Sequence, residues 1–163
     1  MTDFRALIES LLVTDVQFVV VDGVAATLHG SARLTQDVDI VYARDEENLR
    51  RLVRALAPFE PYLRGAPEGL PFRFDVQTLS AGLNFTLRTK MGNIDLLGRI
   101  DGVGDHEALA GHTIEVELFG HRCRCLDLPT LIEAKLAAGR DRDLDAVAEL
   151  RALQQEIEKR RGG

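Results

Sequence analysis

Hydrophobic positions along this chain recur with two different periods, and the switching between them predicts its elements. Residues 3–13 place Phe4, Leu7, Ile8, Leu11 and Leu12 at helical spacing, and "QFVVV", residues 17–21, is an apolar run of strand length. "GVAATLHG", residues 23–30, reads as a short alanine-rich helix ending at a glycine. A strand at 37–42 precedes a helix at 45–57. The acidic start of that helix suits the positive end of a helix dipole, and Leu49, Leu52, Val53 and Leu56 form its apolar face. Two hairpins are predicted, one over 82–98 turning near Gly92 and one over 112–126 turning at Phe119-Gly120. A helix at 128–139 stops at Gly139, and a last helix at 141–158 carries Leu144, Val147, Leu150, Leu153 and Ile157 on one stripe. Helices and strands interleaved in this way predict a mixed α/β domain. "PFEPYLRGAPEGLP", residues 58–71, holds four of the five prolines. It reads as a long loop inside a single domain covering residues 1–163, because periodic segments resume on both sides.

Composition adjusts this picture at its edges. The 163 residues suffice for one sizeable core, and 45% of them are hydrophobic. A formal charge of −6 supplies no general basic footprint for nucleic acid and leaves only a local basic patch open. No apolar run approaches the roughly 18 residues of a membrane span. "MTDFRALIES" has no basic segment followed by a long apolar one, so no signal peptide is expected. Cys123 and Cys125 are too close for a disulfide framework, which favours a reduced, cytoplasmic setting.

The hydrophobic pattern is broken at "TQDVDIVY", residues 35–42, where two aspartates interrupt an apolar strand. Strand side chains alternate between faces, so Asp37 and Asp39 point the same way, about 6.6 Å apart along the backbone. Like charges on one half-buried face repel, and burial raises the cost of both. Either the pair sits at a solvated strand end or something positive lies between its members. "GNIDLLG", residues 92–98, repeats the anomaly at Asp95, with Asn93 and Leu97 on the same face. Carboxylates suit hard divalent cations such as Mg²⁺, and two such ions can bind the attacking and leaving oxygens of a phosphoryl transfer. Three acids solvated at unrelated strand ends are the competing reading. The two further D-x-D pairs, 141/143 and 143/145, fall at a helix start, where acids are favoured by the dipole and residues two apart do not face each other. Gly23, at the turn from strand to helix, would let backbone N–H groups approach a phosphate.

From residue 19 to residue 150 the order of these pieces resembles the nucleotidyltransferase superfamily with the polymerase-β-like fold. Within it the chain looks similar to a small bacterial branch that includes the AbiEii-like abortive-infection toxins. The resemblance is carried by Gly23, His29-Gly30, Arg33-Leu34-Thr35-Gln36-Asp37-Val38-Asp39, Asp95, and the C-terminal Lys135, Arg140 and Asp143. It implies an α/β (α+β) fold, a mixed β-sheet flanked by helices, with C-terminal helices. It implies Mg²⁺ or Mn²⁺ held by Asp37, Asp39 and Asp95, and an NTP bound at Gly23, Arg33 and Thr35. It implies catalytic roles for the three acids and Lys135, with Asp95 helping to deprotonate the acceptor. The reaction implied moves a nucleoside monophosphate from the NTP to a hydroxyl of an RNA, protein or small-molecule acceptor, releasing pyrophosphate, and a toxin–antitoxin setting follows from the same branch. The chain departs from the pattern at Asp22-Gly23-Val24, where the superfamily has Gly-Gly or Gly-Ser. That departure supports the alternative of a catalytically degenerate module that partners another protein. Asp22 itself reads as a helix N-cap.

Several residues carry two readings each. Lys135 falls on the apolar stripe of its helix with Leu128 and Leu131, so it either snorkels or reaches the phosphates. Arg33 is a phosphate contact or a surface arginine. His29 is a packed or helix-capping side chain. Asp143 caps its helix or pairs with Lys135 or Arg140. His121, Cys123 and Cys125 share a strand face, but four-ligand zinc finds no fourth partner, so they read as buried hairpin residues. The tail "EIEKRRGG" reads as a solvated helix end.

Overall fold

The computed structural model describes residues 1–162 of the chain, so the last glycine of that tail, Gly163, lies outside the described residues. From the start of the chain, α1 (Phe4–Val13) leads to β1 (Phe18–Val21), α2 (Asp22–His29), β2 (Asp37–Tyr42) and α3 (Glu46–Leu56). After a 3₁₀ turn at Ala57–Phe59 come β3 (Tyr62–Leu63), α4 (Val76–Ala81), β4 (Phe85–Thr89) and β5 (Gly92–Leu97). A small ribbon of β6 (Arg99–Ile100) and β7 (Gly104–Asp105) and a 3₁₀ turn at Ala108–Gly111 lead to β8 (Thr113–Leu118) and β9 (His121–Leu126). Helices α5 (Leu128–Ala138) and α6 (Asp141–Gly162) follow.

Seven of the strands form one mixed sheet in the order β3-β4-β5-β2-β1-β9-β8. β2 is parallel to β5 and β1 is parallel to β9; the remaining neighbours are antiparallel. All four residues of β1 and the last five of β2 are buried, so both faces of the sheet's centre are covered. Helices α1, α3 and α4 pack on one another as one group, and α2, α5 and α6 as another. This is the mixed α/β domain that the hydrophobic periods predict, with the mixed sheet flanked by helices that the resemblance implies.

Local chemistry explains where the elements begin and end. Side chains of Asp3, Asp45, Asp75 and Asp127 accept from Ala6, Asn48, Thr78 and Thr130 N–H and cap α1, α3, α4 and α5. Gly30 ends α2 in the left-handed conformation. The β8–β9 turn puts both Phe119 (φ 52°) and Gly120 (φ 80°) at positive φ, the geometry that matches strand twist in a two-residue hairpin. Asn48 is buried and fully used: it accepts from Gln17 N–H and donates to the Gln17 and Ala43 carbonyls, fixing the start of β1 and the end of β2 to α3.

The structure differs from the sequence expectation in five places. The loop expected at 58–71 contains the edge strand β3, with Tyr62 opposite Arg88 and Leu63 opposite Leu87. Two paired residues show no period, and prolines are tolerated beside an edge strand. Helix α4, the β6–β7 ribbon and the second 3₁₀ turn are each too short to announce themselves by periodicity. Helix α6 runs past 158 to Gly162, with Lys159, Arg160 and Arg161 in its last turn, where cations suit the helix dipole.

Candidate active site

The parallel register of β2 and β5 sets Asp37 beside Asn93 and Asp39 beside Asp95. Partners in register share a face, so the three strand aspartates look the same way, into a cleft of about 560 Å³. The start of α2 supplies Asp22 and Gly23 to its wall, and α5 and α6 supply Lys135 and Asp143.

The positive group between the acids is an arginine. Arg64 follows β3 directly, and its backbone N–H donates to the Thr86 carbonyl, continuing the edge pairing. Its Nη2 donates to Asp95 Oδ1 at 2.8 Å and to the Leu87 carbonyl at 2.6 Å, and Nη1 lies 3.7 Å from Asp37 Oδ2. Asn93 donates its amide to the other oxygen of Asp37 at 3.1 Å. Arg64 was not anticipated from sequence, because a proline- and glycine-rich stretch gives no sign of where one of its side chains will reach.

Asp39 is 8% exposed and, among the described residues, has no such cationic partner. Burial, the charge of Asp22, a hydrogen bond with Asp95 and the charges of Asp95 and Asp37 push its carboxyl up to about 8. An all-oxygen set that dense in negative charge is the donor chemistry of a hard divalent cation. With the side chains as they stand, no group of three His, Cys, Asp or Glu among the described residues encloses a metal position. The guanidinium is the cation between Asp37 and Asp95.

Gly23 and Thr35 act as a pair. A Cβ on Gly23 would lie 2.6 Å from Thr35 Oγ1 and 2.8 Å from its Cβ, so the threonine packs where any other residue's side chain would begin. The Thr35 hydroxyl donates to the Asp37 carbonyl at 3.2 Å. This pair joins the head of α2 to the start of the aspartate strand.

The expected cap at Asp22 is not formed. Val21 is the N-cap residue of α2 and offers no side-chain acceptor. Asp22 has φ 56°, a left-handed conformation that aspartate tolerates better than most residues, and its carboxylate pairs with Lys135 Nζ. Lys135 Nζ also lies 3.6 Å from Asp143 Oδ1. Lys135 therefore turns into the cleft rather than out along its helix. Asp143, buried, accepts from the Arg140 guanidinium and backbone N–H; those bonds, with the charge of Lys135, hold its carboxyl below the usual range.

Arg33 stands at the rim, donating from Nε and Nη2 to the two carboxylate oxygens of Glu149 of α6, a partner that sequence reasoning missed across 116 positions. His29 donates from Nε2 to the Leu126 carbonyl at 2.8 Å, a packing role that ties α2 to the end of β9. Cys123 and Cys125 are buried free thiols, pushed up to about 11 and about 12 by burial.

No protein-family model and no curated protein sequence matches the chain. Solved structures do. A candidate nucleotidyltransferase, TM1012 from Thermotoga maritima, superimposes with a TM-score of 0.52 at 19% identity, covering 95% of this chain and 90% of its own. The antibiotic-resistance factor ANT(2'')-Ia gives 0.56 at 12% identity, covering 97% and 90%. The same factor in complex with adenylyl-2''-tobramycin gives 0.55 at 11%, covering 96% and 95%. The chain has the nucleotidyltransferase fold. In that fold the cleft lies where β2 and β5 run side by side beneath the head of α2. No helix among the described residues is long and apolar enough to cross a membrane.

Proposed function

We propose that the chain is a nucleotidyltransferase that moves a nucleoside monophosphate from an NTP to an acceptor hydroxyl and releases pyrophosphate. The observation that carries this reading is the pairing of Asp39 with Asp95 across parallel strands, with Asp37 on the same face and the cleft opening on the first turn of α2. The likeness to ANT(2'')-Ia, seen with an adenylylated small molecule, supports the class of reaction.

Asp37, Asp39 and Asp95 would hold Mg²⁺ or Mn²⁺, which when bound neutralises charge on the transferring phosphoryl group. Asp95, hydrogen-bonded to Asp39 and to Arg64, would also take the proton of an acceptor hydroxyl. Backbone N–H groups at Gly23, with Arg33 and Thr35 near the rim, would bind the triphosphate. Lys135 needs only to leave Asp22 to meet a phosphate oxygen. Placement beside the AbiEii-like toxins, with a toxin–antitoxin partner, rests on the motif order from Gly23 to Asp143 alone.

A second reading, a non-catalytic module that binds a protein partner, is favoured by one feature: Asp22 stands where the superfamily has a small residue, and it already occupies Lys135. Labelled NTPs separate the two. With Mn²⁺ or Mg²⁺ and fractionated RNA, protein and small-molecule acceptors, label should pass to one fraction. Asp37→Asn and Asp39→Asn should each reduce transfer by at least about 100-fold. Absence of both label transfer and NTP-dependent thermal stabilisation with either metal rejects the enzyme reading in favour of the module.

A further inference from the structure

We propose that Arg64 is a resident counter-cation of the carboxylate site, which a divalent ion must displace, so that this one side chain sets the site's metal affinity. The inference rests on the metal-holding reading of Asp37, Asp39 and Asp95 given above.

Three observations carry it. The guanidinium contacts the two outer members of the carboxylate set, Asp95 at 2.8 Å and Asp37 at 3.7 Å, spanning the space where an ion shared by those two would sit. A bound cation and a guanidinium would therefore compete for the same oxygens. The arginine is also imperfectly held: its Nε is buried with no hydrogen-bond partner among the described residues. A buried N–H left unpaired costs free energy, so the inward position is maintained by the two carboxylates and the Leu87 carbonyl against that penalty. Finally, the side chain stands on the first residue beyond a two-residue edge strand, ahead of a stretch that runs to Asp75 without further sheet pairing. Withdrawal requires no break in the central strands.

An ordinary stabilising salt bridge would behave differently from a displaceable counter-cation. Removing the guanidinium from a purely structural pair lowers stability and disorders Asp95, which weakens metal binding. Removing a competitor lowers the stability of the metal-free protein, because Asp37 and Asp95 lose their neutralising charge, yet strengthens metal binding. The two measurements then move in opposite directions.

The test uses the full chain and Mn²⁺ alone, read by calorimetry and by the electron-spin signal of free Mn²⁺. Wild type, Arg64→Ala, Arg64→Met and Arg64→Lys are compared, with Asp37→Asn as the control for the site. Arg64→Met keeps the apolar stem in case Arg64→Ala fails to fold. The expected result is a Kd for Mn²⁺ lowered by about tenfold or more in Arg64→Ala and Arg64→Met. Arg64→Lys should fall between these and wild type, and the melting temperature without metal should drop in all three. Mn²⁺ binding only after Arg64 is removed also supports the proposal. Equal or weaker binding in the variants, with wild-type binding that Asp37→Asn abolishes, overturns the counter-cation and leaves the metal site standing. No Mn²⁺ bound by any of the proteins overturns both.

Discussion

At the scale of single residues, the site is governed by what small side chains make room for. Gly23 is needed because Thr35 fills the space a Cβ would take, not because the backbone must adopt a special angle. Gly23→Ala should therefore cost about 1–3 kcal/mol, the usual penalty for forcing a methyl into a packed site. Thr35→Ala removes the atom at 2.6 Å and leaves the one at 2.8 Å, so the double substitution should recover part of that loss. Urea unfolding of the four proteins measures the coupling, and strictly additive effects would contradict the contact. The three strand aspartates were legible in the sequence because charges inside an apolar alternation are costly and so conspicuous. Arg64 and Glu149 were not, since a long cationic or acidic side chain on a loop or a polar helix face looks the same whether it meets solvent or a partner.

At the scale of elements, Asn48 shows how a helix can set a strand register. Its amide satisfies three main-chain groups, belonging to Gln17 ahead of β1 and Ala43 just beyond β2. Register matters here because a one-residue slip of β2 would turn Asp37 and Asp39 to the opposite face. Asn48→Ala takes this partner from Gln17 N–H and from the Ala43 carbonyl, while the Gln17 carbonyl keeps its bond from Ala43 N–H, and should destabilise the fold by about 1–3 kcal/mol. Asn48→Asp keeps the acceptor for Gln17 N–H but offers no donor to the carbonyls, and should be no better. A loss below about 1 kcal/mol in equilibrium unfolding would mean that water replaces the amide. Nothing in the sequence singles out Asn48, which sits in an acidic, solvated-looking first turn. The longer helices and the two hairpins were readable because periodicity accumulates over ten or more residues. The two-residue strand β3 depends on distant pairing with β4, and β6 and β7 pair only with each other; two residues are too few to show a period.

At the scale of the whole molecule, the site places a charge conflict in the middle of the sheet, and this gives stability a definite pH dependence. Asp39 lies against Asp22, Asp37 and Asp95, and its carboxyl is raised from the ordinary range near 4 to about 8. Between those two values the folded protein holds a proton that the unfolded chain has released, so stability falls as pH rises through that interval. The opposite sign applies to Asp143 and Glu149, held low first of all by their hydrogen bonds with Arg140 and Arg33. Their contributions are present above the ordinary carboxylate range and vanish only in acid, so they do not alter the neutral-to-alkaline limb. Asp39→Asn keeps the shape of the side chain and removes the titration. In the absence of metal it should be more stable than wild type by at least about 1 kcal/mol at pH 9, with the difference shrinking toward pH 5. A bound divalent ion needs the carboxylate deprotonated, so Mn²⁺ should stabilise wild type more at pH 8 than at pH 6. Thermal melts of both proteins across this range, with and without Mn²⁺, decide the matter. Parallel curves from pH 5 to pH 9 would mean that Asp39 is already ionised in the neutral fold, compensated by solvent or by a rearrangement of Arg64, and that the crowding of acids costs the molecule nothing.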